Sequence, residues 1–224
     1  MDEYLQKIKG MFSNGTIAKI PRHVIINPFR QKTEFFNFSR KLKSLDEMIA
    51  YAISLDIKII TINLLGKEFS PEQVDEIVKY FYKLKKSELI HSNGVRVSIL
   101  GKWYDLPGRA VEPIKDIIDD TKEYDRYFLN FCVNYNPHEE IADAARITAK
   151  KVEAKKMSAD RIDSKEIKDN IYSSYFIPAD LVIEFGKRFT GTLLFDSVGA
   201  KIYFAKSTKN LRKELEDAIK YWQK

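Results

Sequence analysis

The chain has 224 residues, of which 44% are hydrophobic and 31% charged, enough to bury a substantial core. Lysine and arginine exceed aspartate and glutamate by 38 to 32, a net charge of +6, which permits an anionic ligand or a peripheral membrane contact without requiring either. One cysteine, Cys132, excludes an internal disulfide and a thiolate metal site, no apolar run reaches the roughly 20 residues of a membrane span, and residues 1–20 lack a signal-peptide core, all consistent with a cytoplasmic chain.

Residues 2–12 predict a short amphipathic helix with Tyr4, Leu5, Ile8 and Phe12 on one side, ended by a turn at Asn14-Gly15. After Pro21, residues 23–27 (HVIIN) predict a buried strand, stopped by Asn27-Pro28-Phe29-Arg30. Ser44 to Glu47 reads as a capping box opening a helix whose apolar stripe is Leu45, Met48, Ile49, Ala52 and Ile53. Residues 57–64, rich in β-branched side chains, predict a second strand. Ser70-Pro71-Glu72-Gln73 opens a helix to about residue 91, carrying Val74, Ile77, Val78, Phe81, Tyr82 and Leu84. Residues 95–100 predict a third strand, and a helix follows over about 110–123.

The run from Tyr127 to Val133 predicts a central strand buried on both faces. It empties into a helix with Asn136 as N-cap, Pro137 in the first position and Glu139 placed for a capping box. Residues 151–170 are polar and lysine-rich, a helix end plus a mobile connection. A fifth strand lies in residues 179–185, a short helix or strand at Leu193 to Phe195, a final strand at Ile202 to Phe204, and a closing helix over 208–223. Strands alternating with helices imply an α/β fold in a single domain: a mostly parallel central sheet of about six strands with helices on both faces. Ligands in such sheets collect at the carboxyl ends of the strands.

Several blocks resemble the cis-prenyltransferases, the undecaprenyl diphosphate synthase family, in the family's own order. Pro21-x-His23-Val24-x-Ile26 is similar to the family's first strand, and Gly94-Val95-Arg96 through Gly101 to Leu106-Pro107 resembles G-V-R-x-x-x-x-G-D-x-x-x-L-P. Asn134-Tyr135 through Glu140-Ile141 resembles N-Y-G-G-R-x-E-I, and Asp180 to Ile183 resembles the D-L-x-I that leads into R-T-S-G-E-x-R-x-S. The resemblance implies condensation of isopentenyl diphosphate with an allylic diphosphate. It also implies Mg²⁺ at the sheet's carboxyl end and an apolar tunnel for the growing chain. By the same resemblance, Arg30, Gly186, Arg188 and Thr190 are candidates for binding diphosphate, and Ile49, Ile53, Ile62, Ile77 and Phe81 for lining the tunnel. Plain core faces explain those apolar residues equally well.

The polar part of the pattern departs from the family. Asn27-Pro28-Phe29-Arg30 stands where the family has D-G-N-x-R, so the metal-binding acid is missing. Glu184 replaces the Arg of R-T-S-G, Glu34 falls at another arginine position, and His138 replaces the Arg of N-Y-G-G-R. An amide carries no charge to neutralise Mg²⁺, and a glutamate repels diphosphate. No metal ligands are therefore expected, no tightly bound cofactor, and Mg²⁺ only if the chain is active. The pattern resembles the accessory, Nogo-B receptor-type subunits of two-component synthases, which carry D-L-V-L-K-F-G where this chain has Asp180 to Gly186. Those subunits usually end in R-x-G, where this chain has Tyr221 to Lys224. The expected partners are prenyl diphosphate and either a second copy or a catalytic cis-prenyltransferase subunit. A divergent active prenyltransferase and a prenyl-lipid-binding protein are the alternatives. No aromatic–basic pattern suggests nucleic acid.

Overall fold

The β-branched runs become parallel strands, and the amphipathic segments between them cross over to cover the sheet. The computed structural model describes residues 19–29, 38–207 and 209–224. In chain order the elements are β1 (His23–Asn27), α1 (Phe38–Ser54), β2 (Ile59–Gly66), α2 (Pro71–Lys85), α3 (Glu88–His91), β3 (Val95–Leu100) and α4 (Gly108–Thr121). They continue as β4 (Tyr127–Tyr135), α5 (Pro137–Glu153), α6 (Ser164–Lys168), β5 (Leu181–Glu184), β6 (Lys201–Phe204) and α7 (Leu211–Trp222). The six strands run in the order β3-β4-β2-β1-β5-β6, every pair parallel.

Alternation along the strands sends side chains to two unequal faces. Val24, Ile26, Ile62, Phe131, Val133 and Ile183 join the large core with Ile49, Ile77, Phe81 and Ile114 from α1, α2 and α4. Ile25, Cys132 and Val182 point to a smaller cluster with Leu193, against which Tyr172 and Phe176 are partly buried. The chain lays β2, β3 and β4 on one side of β1, then returns to lay β5 and β6 on the other. That reversal makes the carboxyl ends of β1 and β5 the expected binding crevice.

Several boundaries move. The helix expected from Ser44 begins at Phe38, with Ser44 inside it, so no capping box forms there. Leu42 is buried one turn before Leu45, and this packing extends the helix backward. The helix expected over 71–91 breaks at Lys86 and Ser87 into α2 and α3. The second strand runs over Ile59–Gly66, displaced from 57–64, with a register irregularity at Leu65. Leu193 to Phe195 forms consecutive turns and neither helix nor strand, with Leu193 at φ +48. The stretch expected as a mobile connection is anchored near its end: Lys168 Nζ donates to both carboxylate oxygens of buried Asp196, in the turns between β5 and β6, at 2.7 and 2.8 Å. The predicted helix 2–12 and the turn at Asn14-Gly15 lie outside the described residues. Among the described residues, no helix is long and apolar enough to cross a membrane.

Candidate functional site

Asn27 ends β1 and Glu184 ends β5, and the parallel register places them side by side. Asn27 Nδ2 donates to Glu184 Oε1 at 3.0 Å. The same oxygen accepts from the Thr190 backbone N–H at 2.8 Å and from its hydroxyl at 2.9 Å. Thr192 Oγ1 donates to Asn27 Oδ1 at 2.6 Å, and Asn63 Nδ2, from β2, donates to Thr192 Oγ1 at 2.9 Å. Asn27, Glu184 and Thr192 are buried. Burial pushes the Glu184 carboxyl above its ordinary range, and its hydrogen bonds from Thr190 and Asn27 pull it back. Among the described residues, the crevice is thus lined by a polar network that converges on one Glu184 oxygen. Opening it to a ligand would leave buried donors and acceptors unpaired, at about 1–3 kcal/mol each.

This donor set does not fit a resident Mg²⁺. The magnesium ion asks for several oxygens with charge to spare. Here one carboxylate oxygen already accepts three hydrogen bonds, and the amide oxygen accepts another. Among the described residues, no group of three His, Cys, Asp or Glu side chains could hold a metal ion.

Of the diphosphate-binding candidates, Thr190 spends its hydroxyl on Glu184. Arg188 is exposed in the same loop and Gly186 half-buried. Arg30 and Glu34 lie outside the described residues. The five tunnel candidates, Ile49, Ile53, Ile62, Ile77 and Phe81, all enter the large core. Phe81 meets Phe131 edge-on at 5.6 Å, and Tyr80 meets the same ring at 5.9 Å.

The stretch Asn134–Ile141 proves to be a junction. Tyr135 Oη donates to Glu140 Oε2 at 2.6 Å and accepts from the Leu193 backbone N–H at 2.9 Å. Glu140 is fully buried, and its other oxygen accepts from the Tyr172 N–H at 3.1 Å. Burial raises the Glu140 carboxyl despite these bonds. Asn136 caps α5 as expected, accepting from the N–H groups of His138 and Glu139 at 2.9 and 3.2 Å. Glu139 turns away from its capping role to pair with Lys102 at 2.7 Å and Lys67 at 2.8 Å. Those two ammoniums hold its pKa down, to about 2. His138 is exposed in the first turn of α5. Beside these groups lies a cavity of about 220 Å³, lined by Lys67, Lys102, Asp105, Asn134, Asn136, Glu139 and Tyr172.

Nothing in the sequence pattern marks Asn63, Thr192 or the lysines of this junction as site residues. Asn63 follows Thr61 and Ile62 in a strand pattern that marks it only as a polar position, and no spacing rule ties it to a loop 129 residues away.

The sequence model of the family described as "Putative undecaprenyl diphosphate synthase" matches residues 29–224. A tritrans,polycis-undecaprenyl-diphosphate synthase (geranylgeranyl-diphosphate specific) from Thermoplasma volcanium is 30% identical over 169 residues, covering 71% of this chain and 66% of that protein. The chain therefore spans slightly under two thirds of that relative. A protein of the same description from Methanocaldococcus jannaschii is 28% identical over 204 residues, covering 83% of this chain and 73% of its own length. Among solved structures, lavandulyl diphosphate synthase from Lavandula x intermedia, crystallised with dimethylallyl diphosphate, superposes with a TM-score of 0.78 at 22% identity, covering 91% of this chain and 95% of that one. A probable undecaprenyl diphosphate synthase from Campylobacter jejuni gives 0.71 at 19% identity, covering 92% and 96%. At these identities the superpositions establish the fold.

Proposed function

The chain belongs to the undecaprenyl diphosphate synthase family, the cis-prenyltransferases, and from that membership we propose that it acts in polyprenyl diphosphate synthesis as the accessory, catalytically impaired subunit of a two-component synthase. The observation that carries the reading is the closed network at the β1/β5 crevice. Glu184 lies where the family pattern puts an arginine, and its carboxylate is buried and held by Asn27 and Thr190. A diphosphate entering there would meet a negative charge in place of a cation. At about 4 Å and an effective dielectric constant near 20, each such pair of unit charges repels by about 4 kcal/mol.

In this reading the partner is a catalytic subunit of the same fold that keeps the metal-binding acid, and the apolar side chains of α1 and α2 contribute packing around a prenyl chain. The assembly is a heterodimer in the cytoplasm, with any membrane contact peripheral. A second reading, a divergent active prenyltransferase using Mg²⁺ brought with its substrate, draws on the synthase descriptions of the relatives and on the exposed Arg188 beside the crevice. A homodimer would suit it. A prenyl-lipid-binding protein without chemistry is the third.

One experiment separates them: radiolabelled isopentenyl diphosphate elongation by the chain alone, and by the chain mixed with a family member bearing the intact acid. The accessory reading expects negligible turnover alone and, in the mixture, turnover above that of the partner alone. Mg²⁺-dependent elongation by the lone chain, abolished by Arg188→Ala, establishes the second reading instead. Lipid carried through purification, with no elongation in either arm, establishes the third.

A further inference from the structure

The two faces of the sheet are held in different ways. The large core secures one. On the other, residues 164–178 lie against the smaller cluster through Tyr172 and Phe176, and of these residues only Ile171 and Ser173 are buried. The rings of Tyr172 and Phe176 meet Tyr135 and Phe128 at 6.3 and 5.9 Å, and polar anchors do the rest of the holding. Lys168 Nζ reaches Asp196 and also donates to the Ser173 carbonyl at 2.9 Å, while Ser173 Oγ donates to Asp196 Oδ2 at 2.5 Å. The Tyr172 N–H donates to Glu140, and the Ile177 carbonyl contacts His23 Nδ1 at 2.7 Å.

Two of these anchors are shared with the loop at the crevice. Asp196 lies at the end of that loop, and its carbonyl accepts from the Ala179 N–H at 2.8 Å. Glu140 holds Tyr135, whose hydroxyl receives the N–H of Leu193. Leu193 sits at φ +48, a left-handed conformation that a leucine keeps only when its surroundings impose it.

We propose that residues 164–178 form a strap that lifts from the sheet as one unit, without global unfolding, and that its lifting releases the loop Thr190–Ser197 at the crevice. Segments with few buried apolar contacts open at lower free energy than the core to which they are tied. The strap's anchors also fix the loop, so both gain freedom together.

Cys132 reports the event. It is the single cysteine, it is fully buried, and Tyr172 and Phe176 of the strap pack on its cluster. The test is maleimide labelling of Cys132 in the full chain across low urea concentrations, with hydrogen exchange followed in parallel. The expected labelling rate rises with a urea slope well below that of global unfolding. Lys168→Met, which strands Asp196 as a buried charge, accelerates labelling by about 100-fold. It also accelerates exchange in residues 190–197 and leaves β2 and β4 amides protected. If Lys168→Met does not fold, the urea slope of the unaltered chain decides alone. A slope equal to that of global unfolding overturns the proposal. So does faster labelling with unchanged exchange in residues 190–197.

Discussion

Asn27→Asp restores an acid of the kind the family carries at the end of its first strand, and the structure predicts harm from it. Asn27 Nδ2 is a donor 3.0 Å from a buried carboxylate oxygen of Glu184. Aspartate removes that donor and sets a second carboxylate against the first. Two unit charges about 3 Å apart at an effective dielectric constant of 20 repel by about 5 kcal/mol, an upper bound because the pair can share a proton. With the lost hydrogen bond included, the expected destabilisation at pH 8 is about 3 kcal/mol, or roughly 6–12 °C in Tm for a chain of this size.

The pH dependence has a definite sign. The shared proton gives the pair a folded-state pKa above that of an unfolded carboxyl. Stability is therefore fully present below about pH 4 and falls as pH rises through the raised value. Calorimetry at pH 5 and pH 8, with and without Mg²⁺, measures it: the variant is expected to approach the unaltered protein at pH 5 and to fall away at pH 8. A variant as stable as the original at both values refutes the contact. Marked stabilisation of the unaltered chain by Mg²⁺ refutes the claim that its crevice does not suit the ion.

Gly101→Ala is expected to cost more than 2 kcal/mol in urea unfolding, because the glycine sits at φ +105 and an added Cβ would lie 2.6 Å from the Val133 carbonyl oxygen. His23 is buried between the Ile177 carbonyl and Thr61 Oγ1, and burial pushes its pKa below the usual 6.5. The folded state thus favours the neutral ring, so this contribution is intact above pH 6.5 and is lost as pH falls below it. His23→Leu is less stable at pH 8 and should show a flatter stability profile between pH 7 and pH 5 than the unaltered chain, as Tm measurements at each pH would reveal.

The strands and crossovers were legible because burial on both faces writes itself as short β-branched runs, as in residues 23–27 and 95–100. The N-cap at Asn136 was legible because its chemistry is local. Ser44 shows the limit of such signals: the residues carry a capping pattern, yet packing of the preceding turn decided where the helix begins. Glu139 shows another, since lysines from the ends of β2 and β3 drew it away from its own helix terminus. The sequence marked Asn27 and Glu184 as departures from the family pattern, but their contact spans 157 residues and exists only because β5 is laid on the side of β1 opposite to β2. The strap was invisible for a related reason. A lysine-rich segment reads as solvated until one sees that Lys168 meets a buried aspartate on another loop.

Titration of the full chain with pyrophosphate in the presence of Mg²⁺, followed by calorimetry, reaches the core of the interpretation without needing a partner or a reaction. A crevice closed by Asn27, Glu184, Thr190 and Thr192 should give no saturable, magnesium-dependent heat at concentrations up to the millimolar range. Stoichiometric binding at micromolar concentration, dependent on Mg²⁺ and weakened by substitutions at Asn27 or Glu184, would contradict it.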